Sequence, residues 1–134
     1  MTLAEAVVDA SAVVRGLTTE GEAADLLDQV AVGTTVGHAP DLIVAEVSSA
    51  LALAVRTERR SLEDAQSLFE LLAASPIELH STAPLASAAI ALAATSELSA
   101  YDSYYAVLAH ALEVPLVTAD RRLAAAVPGA VLVA

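Results

Sequence analysis

Short apolar runs, of which the first is rich in Val, alternate along the chain with longer segments in which apolar residues recur at helical spacing. The short runs predict strands and the longer segments predict helices. The predicted strands cover residues 4–9, 33–39, 76–80, 115–118 and 130–133. Strands that alternate with helices build a sheet whose crossovers are helical. We therefore predict an α/β fold, with a mostly parallel sheet and helices on both faces.

Capping residues mark the predicted helix starts. Thr19, with Glu22 three residues later, resembles a capping box and predicts a helix through about residue 30. Pro40 suits the first turn of a helix that reaches residue 57. A short helix is predicted from Ser11 onward. Further helices are predicted over residues 61–74, 82–95, 99–112 and 120–126.

Length and composition indicate one folded domain. A chain of 134 residues buries a substantial core without disulfides or metals, and no linker or repeat divides it, so the predicted domain is 1–134. The absence of Cys excludes disulfides and thiolate zinc sites.

Targeting signals are absent from the sequence pattern. The N-terminal segment carries Glu5 and Asp9 and no basic residue, which is unlike a secretory signal. The longest apolar runs, around residues 42–55 and 83–94, are shorter than the roughly 20 residues of a membrane span. We expect a cytoplasmic protein with no membrane contact.

Four carboxylates stand far apart in the sequence, each where a predicted strand ends or a predicted helix begins. Asp9 closes the run Ala-Val-Val-Asp, and Asp120 follows Pro-Leu-Val-Thr-Ala. Asp102 begins one helix, and Glu46 lies a turn into another. Ligands in open α/β sheets bind at the carboxyl ends of strands, and oxygen-only ligand sets suit magnesium or manganese. The pattern predicts a metal site.

Each acid also has a purely structural interpretation. Asp9, Asp102 and Asp120 could simply cap helices or complement a helix dipole. Glu46 is harder to explain in this way, because it lies on an apolar helix and the chain has no Lys to pair with it. A buried carboxylate without a partner is costly, so Glu46 favours the interpretation in which the four acids together form one metal site. The missing Lys also disfavours the phosphoacceptor and phosphatase folds in which a Lys side chain holds the phosphoryl group.

Four ordered motifs resemble those of the PIN-domain family, and most closely those of the VapC-type toxins of VapBC toxin–antitoxin pairs. They are Val-Val-Asp9-Ala-Ser11, Pro40-Asp-Leu-Ile-Val-Ala-Glu46-Val, Leu98-Ser-Ala-Tyr-Asp102-Ser-Tyr-Tyr-Ala and Leu116-Val-Thr118-Ala-Asp120-Arg121-Arg122-Leu123. The resemblance spans nearly the whole chain, and the order of the four motifs makes it specific.

This resemblance implies a metal-dependent endoribonuclease, the toxin of a type II toxin–antitoxin system. Asp9, Glu46, Asp102 and Asp120 match the acids that hold Mg²⁺ or Mn²⁺, and Thr118 matches the family's hydroxyl position. Metal-activated water would then cleave the RNA phosphodiester, leaving a 5′-phosphate and a 3′-hydroxyl. The implied partners are RNA and a cognate antitoxin, and the apolar excess on the helices favours a homodimer. The alternative is a PIN-like module that binds RNA or protein without cleaving.

Other polar residues receive weaker assignments. Ser11, Arg15, Arg121 and Arg122 lie near the acidic motifs, and each is weighed evenly as an RNA-contacting residue and as an ordinary structural or surface residue. The formal charge of −11 does not favour RNA binding, so metal must supply part of the attraction. The three His residues adjoin no acidic motif and receive no role. Tyr101, Tyr104 and Tyr105 flank Asp102 and could stack on a base, but the helical spacing of Tyr101 and Tyr105 favours packing.

Overall fold

The computed structural model describes residues 2–134. These residues form five strands and seven α-helices in the alternating order that the sequence predicts. The strands are β1 (Glu5–Val8), β2 (Val36–Pro40), β3 (Glu78–His80), β4 (Leu116–Thr118) and β5 (Val131–Leu132). The helices are α1 (Ala10–Thr18), α2 (Glu22–Val32), α3 (Ile43–Arg56), α4 (Leu62–Ala74), α5 (Ala86–Ala94), α6 (Ala100–Leu112) and α7 (Arg121–Ala126), and a 3-10 turn (Ala83–Leu85) precedes α5.

The five strands form one sheet in the order β3-β2-β1-β4-β5, and every pairing is parallel. The chain first builds outward from β1 through β2 to β3, and then returns to build β4 and β5 on the other side of β1. The strand order therefore reverses between β1 and β4. A crevice forms beyond the carboxyl ends of the strands at such a reversal, and open α/β sheets bind ligands there.

Both faces of the central strands are covered. Ala6, Val7 and Val8 are successive residues of β1 and are fully buried. Because successive strand residues point to opposite faces, this burial requires helices on each side. Helix α6 packs on β1, β2 and β4. Helix α1 contacts β4 and also packs against α2, α3 and α4. The predicted α/β fold with helices on both faces is confirmed.

Two of the predicted helix starts are wrong. Thr19 ends α1 instead of beginning α2, since its backbone N–H and its hydroxyl both donate to the Arg15 carbonyl, at 2.9 and 2.8 Å. Gly21, with φ of 134°, precedes α2 and provides no side-chain cap. Pro40 is the last residue of β2, paired with His80, and α3 begins only at Ile43. Proline is tolerated at that strand end, beyond which α3 begins.

Two other helix starts follow the prediction closely. Ser61 caps α4 by accepting a hydrogen bond from the Asp64 backbone N–H at 3.0 Å. Ser99 caps α6 through the Asp102 N–H at 3.1 Å. The two N-termini therefore share one local geometry, in which an Asp stands three residues after a capping Ser.

Within residues 2–134, no helix combines the length and the apolar character that crossing a membrane would need.

Candidate active site

Asp9 and Thr118 meet at the carboxyl ends of β1 and β4, where the strand order reverses. Thr118 is the last residue of β4 and is fully buried, and Asp9 directly follows β1 with 5% exposure. The Thr118 hydroxyl donates to Asp9 Oδ2 at 2.6 Å. Asp9 Oδ1 accepts from the backbone N–H of Ala12 at 2.9 Å and so caps α1. The carboxylate is thus fixed by the neighbouring strand and by its own helix.

Ser11 joins the loops that follow the same two strands. Its hydroxyl donates to Asp9 Oδ1 at 2.8 Å and accepts the Ala119 backbone N–H at 3.0 Å. The Ser11 and Thr118 hydroxyl oxygens lie 3.1 Å apart. Ser11 therefore links the loops that follow β1 and β4. A residue that only capped a helix would not make this link.

Glu46 reaches the site from α3 and is held by Tyr105 of α6. The Tyr105 hydroxyl donates to Glu46 Oε1 at 2.7 Å, and its ring is 1% exposed. Burial, followed by the hydrogen bond to Glu46 and then by the charge of Glu46, raises the pKa of Tyr105 far above its ordinary value, so the phenol remains a donor. This contact provides the partner that the isolated Glu46 needed.

Asp102 and Asp120 complete the acidic group from the first turn of α6 and the start of α7. Asp120 Oδ1 caps α7, accepting from the Arg122 and Leu123 backbone N–H groups at 2.9 and 3.3 Å. Asp102 Oδ2 lies 3.9 Å from Arg122 Nη2, and this guanidinium is 72% exposed. A contact of this length to an exposed cation offsets little of the negative charge.

The four carboxylates are close enough to oppose one another's ionisation. Burial raises the pKa of Asp9, Glu46 and Asp102. The charge of Asp102 adds to the rise at Asp9, and the charges of Asp102 and Asp9 add to the rise at Glu46. The charge of Asp120 raises the pKa of Asp102. The fold has therefore brought all four acids together.

Their spacing is nevertheless loose. Within residues 2–134, the one set of three or more His or acidic side chains whose ligand atoms all lie within 4.8 Å of one another is His38, Glu78 and His80, which excludes these four acids. Magnesium is commonly bound by one or two carboxylates while it keeps several waters, so wider spacing still suits it.

An open cleft of about 470 Å³ runs beside the acids. Ser11, Arg15, Glu46 and Asp120 all line it, so Arg15 faces the same space as two of the carboxylates. Arg121 and Arg122 are exposed at the start of α7. The cleft thus presents two carboxylates, Glu46 and Asp120, beside one arginine, Arg15.

Comparisons with known proteins agree with this geometry. A family model described as the PIN domain matches residues 6–127. The chain belongs to the PIN-domain family. It is 38% identical over 127 residues to Ribonuclease VapC1 of Mycobacterium tuberculosis, covering 93% of this chain and 92% of that relative. The predicted likeness to VapC-type proteins is confirmed.

Solved structures share the fold of this PIN domain. PAE2754 from Pyrobaculum aerophilum has a TM-score of 0.77 and 26% identity, covering 95% of this chain and 82% of that one. VapBC2 from Rickettsia felis, crystallised with a DNA fragment from its promoter, has a TM-score of 0.70 and 16% identity, covering 96% of both chains. The second likeness shows the fold alone.

Sequence reasoning missed two features of this PIN domain. Tyr105 was assigned to packing, which its burial bears out, but its hydroxyl also binds Glu46. Tyr101, assigned to packing with it, is 64% exposed, so that prediction is wrong. His38 and His80 received no role, yet their ring nitrogens, Nδ1 and Nε2, lie 2.9 Å apart. The β2–β3 register brings the two histidines together, and the approach of α3 to α6 brings Glu46 to Tyr105.

Proposed function

We propose that this protein is a metal-dependent endoribonuclease that acts as the toxin of a type II toxin–antitoxin pair. The observation that carries the proposal is the meeting of Asp9, Glu46, Asp102 and Asp120 beyond β1 and β4, where burial and mutual charge raise the pKa of three of them. The 38% identity to Ribonuclease VapC1 supports the same reaction.

The acidic residues fit Mg²⁺ or Mn²⁺. All four offer carboxylate oxygen, the donor that these cations prefer, and their uncompensated charge favours a divalent ion. When bound, such an ion would supply activation of water and neutralisation of charge at the scissile phosphate. Asp9, Glu46, Asp102 and Asp120 are the proposed ligands.

The remaining residues position these ligands and the RNA. Thr118 and Ser11 hold the Asp9 carboxylate through their hydroxyls, and Tyr105 holds Glu46. Arg15 at the cleft, with Arg121 and Arg122 on α7, would contact RNA phosphates. These arginines would offset the net acidity near the substrate.

An antitoxin would bind a different surface. A groove of about 690 Å³ lies between α3 and α4, lined by the apolar side chains of Leu51, Val55, Leu62 and Phe69 and bordered by Arg56 and Glu70. An amphipathic helix of a partner protein would fit such a groove. We further propose that the protein forms a homodimer through apolar helix surfaces outside this groove. We also propose that it acts in the cytoplasm, where its RNA substrate would lie.

Purified protein, freed of antitoxin, is expected to cut RNA internally with Mg²⁺ or Mn²⁺ and to stop in EDTA, because an all-carboxylate site has no metal-independent chemistry. Electrophoresis of end-labelled RNA measures the cutting. An oligonucleotide with 2′-O-methyl groups at the cleavage site should still be cut, leaving a 5′-phosphate, since the attacking oxygen comes from water. Undiminished cleavage in EDTA, or 2′,3′-cyclic phosphate products, would exclude this mechanism.

Thr118→Val is expected to weaken activation by Mg²⁺ by about 10- to 100-fold, as loss of a ligand-orienting hydrogen bond commonly does. The substitution keeps the shape but removes the donor to Asp9 Oδ2 and the acceptor for the Asp120 N–H. Cleavage rates over a magnesium titration provide the measurement.

Thr35→Val is the matched control. Thr35 is also a buried threonine, and it donates to the Leu3 carbonyl at 2.6 Å. It belongs to none of the four acidic motifs. Both variants should lose about 1–3 kcal/mol of stability. Only Thr118→Val should shift the magnesium dependence; an equal shift in Thr35→Val would mean that general destabilisation is responsible.

A further inference from the structure

A second group of potential metal ligands lies on β2 and β3, the two strands at one edge of the sheet. His38 of β2 and Glu78 and His80 of β3 each offer a ligand atom within 4.8 Å of the other two. His38 Nδ1 is 2.9 Å from His80 Nε2 and 3.4 Å from Glu78 Oε2. None of these residues is among the four acids of the candidate active site.

The strand register builds this group. The parallel pairing places His38 directly beside Glu78, and Glu78 and His80, two residues apart, point to the same face of β3. The β1–β2 pairing places Val7 beside His38, so Glu5 shares that face at the beginning of β1, the end opposite Asp9. Three short segments that are distant in sequence thus converge.

Glu5 sets the tautomer of His38. Its carboxylate Oε2 lies 2.9 Å from His38 Nε2, and a carboxylate can only accept, so Nε2 carries the proton. In the neutral ring, Nδ1 then presents its lone pair to His80 and Glu78. A carboxylate that orients a metal-binding imidazole in this manner is the usual second partner at histidine metal sites.

With His38 neutral and Nε2 protonated, the one proton between His38 Nδ1 and His80 Nε2 leaves none for Glu78 Oε2, which lies 3.4 Å from His38 Nδ1. A second proton on His38 would form an ion pair with Glu78, and a metal cation would compete with that proton. A cation would satisfy all three atoms at once. Ligand atoms around tetrahedral zinc lie about 3.3 Å apart, close to the 2.9 and 3.4 Å that separate His38 Nδ1 from His80 Nε2 and Glu78 Oε2.

We propose that His38, Glu78 and His80 bind a divalent cation of the zinc class, with Glu5 as the orienting partner. Two imidazoles and a carboxylate with an open fourth position suit Zn²⁺ or Co²⁺ rather than Mg²⁺. The His38 side chain is 6% exposed whereas that of Glu78 is 62% exposed, so water reaches the fourth position. The bound ion would fasten the three-residue edge strand β3 to β2.

Titration of the EDTA-stripped and desalted full chain with ZnCl₂, followed by calorimetry, tests this proposal. With excess MgCl₂ present to occupy the four acids, we expect one further site per chain, which binds Zn²⁺ at least about a hundredfold more tightly than it binds Mg²⁺. Co²⁺ in the same site should give the visible absorption of a tetrahedral ion. His80→Ala and Glu78→Gln, at positions that are not fully buried, should remove this site, and Glu5→Ala should weaken it by about 10- to 100-fold.

Two controls separate this site from other binding. His110→Ala removes the remaining histidine, which is exposed on α6, and should leave zinc binding unchanged. Asp102→Asn alters the acidic group and should also leave it unchanged. The proposal is overturned if zinc binds no more tightly than magnesium, if His80→Ala and Glu78→Gln retain the site, or if its loss follows Asp102→Asn or His110→Ala instead.

Discussion

Asp9→Asn and Asp102→Asn are each expected to lower the rate of RNA cleavage by more than about a hundredfold. Loss of a partner that only orients a metal ligand costs about 10- to 100-fold, so loss of a ligand itself should cost more. Asn preserves the size of either side chain, and at position 9 its oxygen can still accept the Ala12 N–H that begins α1. Single-turnover cleavage at saturating magnesium measures the effect, and host growth on expression gives a second readout.

Asp64→Asn provides the comparison variant. Asp64 stands three residues after the capping Ser61, as Asp102 stands three residues after Ser99, so both substitutions remove one negative charge from an equivalent helix turn. Asp64→Asn should cleave RNA and arrest growth like the natural sequence. If Asp9→Asn and Asp102→Asn were as active and as toxic as Asp64→Asn, the catalytic assignment of the acids would be wrong.

The order of elements was predictable because strands and helices leave different periodicities in a sequence. The short apolar runs located all five strands, but the predicted strand ends differ from the observed ones by up to three residues, as at Gly33. That glycine adopts φ of 84° to end α2, and β2 begins only at Val36. Local residue preferences placed Thr19 and Pro40 in helix starts. In the structure, Thr19 donates to the Arg15 carbonyl and ends α1, and Pro40 pairs with β3 as the last residue of β2.

The acidic group was predictable for a different reason. In a parallel sheet, a residue that directly follows a strand lies at one edge, so Asp9 and Asp120 had to approach one another once β1 and β4 became neighbours. No local pattern reports which strands are neighbours. The Glu5–His38–His80 cluster depends on that information, and the Tyr105–Glu46 contact depends on how α3 and α6 pack, so neither was predicted.

The structural and functional interpretations of the acids are compatible. Asp9 and Asp120 do cap α1 and α7, as their positions allow. Each cap orients its carboxylate by backbone N–H groups at the positive end of a helix, which favours the charged form. For Asp9, burial and Asp102 outweigh that effect, since its pKa is raised despite the three donors. The caps fix the acids in place while repulsion between the acids remains.

Burial of the acids, together with their mutual repulsion, has a measurable consequence for metal-free protein. The pKa of Asp9, Glu46 and Asp102 is raised in the folded state, so the folded chain binds more protons than the unfolded chain above pH about 4. Their contribution to stability is complete below the ordinary carboxyl pKa and is lost as pH rises through the raised values. In EDTA, the melting temperature should therefore fall between mildly acidic and neutral pH.

Asp102→Asn is expected to raise the melting temperature in EDTA at neutral pH and to reduce its fall with pH. Asp102 suits this test because its side chain is only 22% exposed and its one cationic contact is long. Removing its repulsion should contribute on the order of 1 kcal/mol, or roughly 4 °C in a domain of this size. Scanning calorimetry in EDTA across this pH range gives the midpoints.

Magnesium should reverse the order of the two melting temperatures, so that the natural sequence melts at a higher temperature than Asp102→Asn. The natural sequence gains RT ln(1 + [M]/Kd), about 2.7 kcal/mol when magnesium is at roughly 100 times Kd, whereas Asp102→Asn has lost a ligand and gains much less. Asp64→Asn removes the same formal charge but lies outside the acidic group, so it should not gain stability in EDTA and should keep the full magnesium shift. If Asp102→Asn and Asp64→Asn behaved alike in both conditions, net charge alone would explain the result, and the four acids would not form one metal site.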